Sequence, residues 1–166
     1  MSVADRSIDP RIIERAKEEF LQKGFLDASL QEICKNAGVT TGALYKRFKG
    51  KEELFCALVE STVQDLEELV RQKSALPTTL TDEQLKKAWD MDREYMQWWF
   101  DYLYDRYDEM RLLLVFSDGT KYANFEHEWV EGMSHTTYAY YKEAQRRGLT
   151  KTDISEKEMH VMLSSF

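Results

Sequence analysis

The residue types that can do chemistry crowd into positions 29–55, SLQEICKNAGVTTGALYKRFKGKEELF. Hydroxyls at Ser29, Thr40 and Thr41 and cations at Lys46 and Lys51 lie at or near the starts of short helical patterns. A helix N-terminus attracts anions and lysine supplies a flexible cation, while the methyls of threonine and alanine suit the methyl group of thymine. Two short helical patterns meet at Gly38-Val39, and a further one begins at Lys51. That compactness is what a helix-turn-helix needs in order to place one helix in the DNA major groove.

Other chemistries find little footing. There is no nucleophile elbow, phosphate-binding loop or H-E-x-x-H, and the carboxylates are spaced like helix-surface residues, so the chain reads as a non-enzyme with no catalytic residue and no cofactor. His127 and His135 stand eight residues apart among Glu126, Glu128 and Glu131. With no histidine pair at i, i+4 and no cysteine partner, they read as solvated or locally bonded, and no metal site is expected. Cys34 and Cys56 are single cysteines inside helical patterns, read as buried free thiols suited to a reducing cytosol.

The elements that must position the 29–55 stretch are helical. Asp9 can cap a first helix with Pro10 in its first helical position. Ile12, Ile13, Ala16, Phe20 and Leu21 form its apolar stripe, and Gly24 stops it. Ser29 with Glu32 makes an S-x-x-E capping box for the second helix, whose buried side is Leu30, Ile33 and Ala37. Gly38 allows the sharp turn, Thr40 or Thr41 caps the next helix, and Leu44 and Phe48 anchor it as an i, i+4 pair. A long helix follows to about residue 73, with a stripe of Leu54, Leu58, Val59, Val63, Leu66 and Val70. After the linker SALPTTLTDEQ come a helix over 82–106 dense in aromatics, the short segment EMRLLLVF, and a helix over 122–147 ended by Gly148. A last helix starts near Ser155 on another S-x-x-E pattern.

The chain has 166 residues and a net charge of -7, which by itself argues against nucleic acid. Its distribution reverses that argument: residues 1–51 carry +3 and residues 52–166 carry -10, so a positive unit is joined to an acidic body. Nothing resembles a signal peptide or an apolar span of about 18 residues, so a cytoplasmic protein with no membrane association is expected.

With these residues in view, the N-terminal segment resembles the DNA-binding domain of the tetracycline-repressor (TetR) family of bacterial transcription regulators. Ala16, Phe20, Gly24, Phe25 and Ser29 match the family's small, aromatic, glycine and capping positions. IxxxAGV at Ile33 to Val39 continues the match, and Gly42, Leu44, Tyr45, Phe48, Lys51, Glu52, Leu54 and Phe55 carry the signature around the recognition helix. The resemblance implies that Thr40, Thr41 and Ala43 face the major groove, that Tyr45 and Lys46 contact phosphate or base edges, and that Lys51 meets phosphate at the start of the fourth helix. Ser29 adds a phosphate contact or acts only as a cap. Arg47 departs from the aromatic common in the family, leaving a phosphate contact and solvation both open.

The same resemblance implies an all-α chain: a three-helix DNA-binding helix-turn-helix domain over 1–52, joined through a long fourth helix to a helical ligand-binding and dimerisation domain over 53–166 that is incomplete at its C-terminus. It implies a ligand-responsive transcriptional regulator, a homodimeric repressor that binds a palindromic DNA operator and is released by a small-molecule effector. The alternative is a helical ligand- or protein-binding regulator that does not repress by itself. Seven aromatics in the thirteen residues YMQWWFDYLYDRY exceed what one buried stripe needs. Trp98, Trp99 and Tyr102, with Trp129, Met133 and Tyr140, are therefore the candidate ligand-binding residues, against a reading as core and helix–helix interface. Asp101 or Asp105 with Glu126 or Glu131 would favour an aromatic cation.

Overall fold

The computed structural model describes residues 8–73, 77–88 and 92–165, and these are helical with no strand among them. Nine α-helices follow in order: α1 (Ile8–Asp27), α2 (Leu30–Ala37), α3 (Thr41–Tyr45), α4 (Lys51–Lys73), α5 (Asp82–Lys87), α6 (Arg93–Asp105), α7 (Tyr107–Val115), α8 (Phe125–Arg146) and α9 (Glu156–Leu163). A 3-10 turn, Pro77–Thr79, precedes α5. The segment expected as one helix over 82–106 is thus divided, with α5 ending at Lys87 and α6 starting at Arg93, while Arg106 leaves helical geometry before α7, where the expected helix ends. Trp89 and the side chain of Asp9 lie outside the described residues.

Two compact units emerge. One comprises the helices up to Val63 together with Leu103–Phe125; the other comprises Gln64–Tyr102 and the chain from Glu126 onward. Residues 103–125, well past residue 52 in sequence, therefore group with the N-terminal helices.

In the first unit, the stripe Ile12, Ala16 and Phe20 is completely buried, as its i, i+4 spacing demands. Helix α1 begins two residues before Pro10, which sits in the first turn, where a missing N–H costs nothing. At Gly24 the helix breaks, with φ 75° and ψ 169°, a backbone region essentially restricted to glycine. The break turns Phe25 inward, where its ring meets Phe20 and Phe55 at 6.0 and 5.6 Å, and Phe20 meets Phe55 edge-on at 5.2 Å. Edge-to-face packing adds to the burial of three large rings, so this trio ties α1 to α4. Helix α7 packs on α1, with Lys17 Nζ 3.2 Å from Asp108, and the Phe25 N–H donates to the Phe116 carbonyl at 3.1 Å.

The second unit buries fewer apolar side chains, among them Leu66, Leu85, Tyr141 and Met159. One polar cluster is buried around Glu143. Arg147, with a side chain 16% exposed, donates to Glu143 at 2.6 Å, to the carbonyls of Leu80 and Thr78 at 2.6 and 3.1 Å, and to Asp82 at 3.1 Å. Arg146 bonds both oxygens of the same Glu143. Arg147 thus fastens the Pro77–Thr79 turn and the start of α5 to the end of α8, while Arg146 braces Glu143. Hydrogen bonds and charge from Arg146 and Arg147 hold the Glu143 carboxyl down at about 2. Beyond it, Ser155 and Glu158 form the expected reciprocal capping box at the start of α9.

Candidate nucleic-acid interface

The helix-turn-helix is assembled by caps at each end of α2. Ser29 is its N-cap, with its hydroxyl accepting the Glu32 N–H at 3.4 Å. The return bond of the expected capping box comes from elsewhere: the Ser29 N–H donates to Glu19 on α1 at 3.0 Å, while Glu32 faces Lys35. Glu19 is buried and also receives Lys23 at 2.8 Å. Burial pushes its carboxyl up, but the Lys23 ammonium and the Ser29 N–H outweigh it and leave the pKa below the ordinary carboxylate value. The sequence reading passed over Glu19. Its i, i+4 relation to Lys23 and its place beside the stripe of Ala16 and Phe20 were the available signals.

At the other end, Gly38 takes up left-handed geometry, φ 66° and ψ 37°, and its N–H and that of Val39 return to the carbonyls of Lys35 and Cys34. A left-handed residue suits glycine, and here it lets the chain reverse in two residues. Thr40 is then the N-cap of α3, its hydroxyl accepting the Ala43 N–H at 3.1 Å. Between the two candidates for that cap, the structure selects Thr40.

Helix α3 presents two distinct faces. Leu44 is completely buried, in the same interior as Ile33 and Ala37, whereas Thr40, Thr41, Tyr45 and Lys46 are exposed and Ala43 is half-buried. Tyr45 is 56% exposed, an unusual position for a large ring that serves no core. Phe48 is only half-buried, so Leu44 is the principal anchor and Phe48 the margin of the core. Arg47 bends back onto the Ala43 carbonyl at 3.2 Å.

Lys51, the first residue of α4, is placed differently from the other basic candidates. Its ammonium donates to the carbonyls of Leu26 and Ala28 at 2.8 and 3.0 Å and lies 4.8 Å from the centre of the Phe25 ring. Lys46, the C-cap of α3, stays exposed. Beyond Lys51, Glu53 receives the Lys49 N–H at 2.8 Å and Glu52 the Lys121 N–H at 2.9 Å.

The expected ligand residues form two sets in the second unit. On α6, Trp98 lies 5.8 Å from both Trp99 and Tyr102, and Trp99 stacks on Tyr102 at 5.6 Å. On α8, Trp129, Met133 and Tyr140 are each half-buried. None of the six is fully buried, and α6 has no buried residue. A cleft of about 610 Å³ in this unit is lined instead by Thr78, Ala139, Lys142, Glu143, Gln145 and Arg146. Asp101 accepts from Gln97 at 2.9 Å. His135 faces Glu156 at 3.0 Å, and His160 faces Ser134 at 3.2 Å. No group of metal ligands occurs among the described residues. Cys34 is buried and Cys56 half-buried, and burial raises both thiol pKa values. No helix among the described residues is long and apolar enough to cross a membrane.

Comparison with known proteins agrees with this geometry. Residues 12–58 match the family described as bacterial regulatory proteins, tetR family, a span that holds α2, α3 and the start of α4. The HTH-type transcriptional regulator SrpR of Pseudomonas putida is 46% identical over 57 residues, which are 34% of this chain and 27% of SrpR. This chain thus matches well under half the length of the curated relative. The fold is that of solved regulators: a gamma-butyrolactone receptor (ArpA-like protein) at TM-score 0.60 and 23% identity, over 96% of this chain and 76% of that one. FadR from Bacillus subtilis, solved in complex with stearoyl-CoA, gives TM-score 0.54 and 17% identity over 95% of this chain and 81% of its own. Over residues 12–58, the chain thus carries a segment similar to the helix-turn-helix region of the tetR family of bacterial regulatory proteins.

Proposed function

We propose that this chain is a ligand-responsive transcriptional regulator that binds a two-fold DNA operator as a homodimer and, in the family's usual sense, represses until a small effector releases it. The observation that carries the reading is the outward row Thr40, Thr41, Tyr45 and Lys46 on a helix fixed from behind by the buried Leu44. Threonine methyls and the half-buried Ala43 suit thymine methyls, Tyr45 and Lys46 suit phosphate or base edges, and the Ser29 cap at the start of α2 suits phosphate. Two copies are needed because one short helix reads only a half-site.

The effector site belongs to the second unit, with Trp98, Trp99 and Tyr102 on α6 and Trp129, Met133 and Tyr140 on α8 as its candidates. Half-buried aromatic and thioether surface of this kind suits an apolar or aromatic small molecule, held by dispersion and ring stacking. FadR from Bacillus subtilis was solved with stearoyl-CoA, which makes acyl compounds the first class to try.

The test is selection from a randomised duplex pool with the full chain, followed by footprinting of the enriched sequence. An inverted repeat protected over two half-sites, and released by a candidate compound, is the expected result. Equal affinity for scrambled duplexes would remove the reading.

A further inference from the structure

Four aromatic side chains of α6, Tyr95, Trp98, Trp99 and Tyr102, recur at i, i+3, i+4 and i+7 and so share one side of the helix. Their rings form a continuous ladder. Tyr95 lies 6.0 Å from Trp98, Trp98 lies 5.8 Å from both Trp99 and Tyr102, and Trp99 stacks on Tyr102 at 5.6 Å with their planes 5° apart. No residue of α6 is fully buried, and Trp98 is 45% exposed. Four large rings stacked on one another outside a closed core hold ring surface open to a ligand.

The charge along the ladder is negative. Glu94 stands four residues before Trp98 and Asp101 three after it, which sets both carboxylates on the neighbouring turns, with about 5–6 Å between β-carbons. Both side chains are exposed. Asp101 accepts from the Gln97 amide at 2.9 Å, a neutral donor that orients the carboxylate without cancelling its charge. Arg93, the one basic residue of α6, falls on the side of the helix opposite the ladder. Beyond α6 the field has the same sign, since residues 52–166 carry -10. An indole face attracts a cation within about 6 Å of its centre, and neighbouring carboxylates add to that attraction.

We infer that this ladder binds an organic cation, a molecule whose aromatic groups stack on Trp98 and Trp99 while its positive charge is shared by Glu94 and Asp101. The inference rests on the effector site proposed above and gives that effector its charge; the same field repels an acyl chain that ends in a carboxylate.

Tetraphenylphosphonium and tetraphenylborate have the same shape and opposite charge, so they separate the role of charge from that of apolar surface. Titration calorimetry of the full chain is expected to give a dissociation constant for the phosphonium at least about tenfold below that for the borate, the effect of reversing a unit charge beside two carboxylates in screened solvent. This comparison uses the wild-type chain and needs no variant. Glu94→Gln combined with Asp101→Asn should bring the two constants within about threefold of each other, chiefly by weakening the phosphonium. Trp98→Leu, at a position half open to solvent, should weaken the phosphonium about fivefold or more with the thermal midpoint unchanged.

Equal affinity for the two ions, a preference for the borate, or a phosphonium constant unmoved by Trp98→Leu overturns the inference. Binding of palmitate without binding of the phosphonium overturns it too and leaves the effector reading standing with an anionic ligand. A chain that binds none of the three removes the effector reading as well.

Discussion

At the scale of single residues, the charged side chains divide by what they touch. Glu19, Lys51, Glu143 and Arg147 are turned to the protein's own backbone and to one another, whereas Thr41 and Lys46, proposed above to meet DNA, are exposed. Replacing Thr41 by valine should therefore alter the preference among duplex sequences with little change in the salt slope, a result that competition between enriched and point-altered duplexes can check. The Glu143 carboxyl, held near 2 against an ordinary value of 4.5, makes a different kind of prediction. Because its folded pKa is depressed, its contribution to stability is complete above 4.5 and is lost as pH falls from there through about 2. Urea midpoints of wild type and Glu143→Gln should differ at neutral pH and converge over that acidic window. A constant difference at every pH would assign the effect to packing alone.

At the scale of elements, the reading head depends on short helices that could not stand by themselves. Helices α2 and α3 have eight and five residues, far below the length at which an isolated helix is stable in water. They hold because their caps are filled and because Ile33, Ala37 and Leu44 are buried. Leu44→Ala is thus expected to cost about 2–5 kcal/mol of stability, since the cavity lies at a fully buried point, and denaturant titration measures it. Gly24→Ala meets only an ordinary van der Waals contact, Phe116 Cδ1 at 3.6 Å, but it forces a β-carbon onto a backbone with φ 75° and ψ 169°. Its cost of about 1–3 kcal/mol is therefore one of conformation, not of collision. A thermal midpoint equal to wild type would show that the break at Gly24 relaxes without loss. The caps were legible in sequence at Ser29, Gly38 and Ser155 because their residue types occur at fixed offsets. The Glu19 bond to Ser29 was not, because its partners are ten residues apart on different elements.

At the scale of the whole molecule, charge is unevenly divided, +3 over residues 1–51 and -10 over residues 52–166. An acidic body beside a mildly basic head should repel DNA everywhere but at the head. Binding should consequently weaken with salt by a slope set by a few phosphates per head, and sedimentation of chain with enriched duplex should give two chains per two-fold site. One chain per site with full affinity would contradict the dimeric reading. The aromatic body is where sequence and structure part most. A dense aromatic run read as one helix over 82–106, yet α5 ends at Lys87 and α6 starts at Arg93, and residues 103–125 group with the N-terminal helices. Periodicity reports which residues share a face of one helix and carries nothing about which other segment that face will meet.

The sequence by itself determined the helical class, the caps of α2 at Ser29 and Gly38, and Leu44 as the buried anchor of α3. All of these follow from local spacing, which caps and the 3.6-residue repeat impose on the chain directly. Only the tertiary structure decided what the charged groups do. It turned Lys51 onto the carbonyls of Leu26 and Ala28, gave the Ser29 N–H to Glu19, and spent Arg147 on Thr78, Leu80, Asp82 and Glu143. A lysine or arginine carries the same charge and reach wherever it stands, so its partner is chosen by whichever acceptors folding brings within about 3 Å.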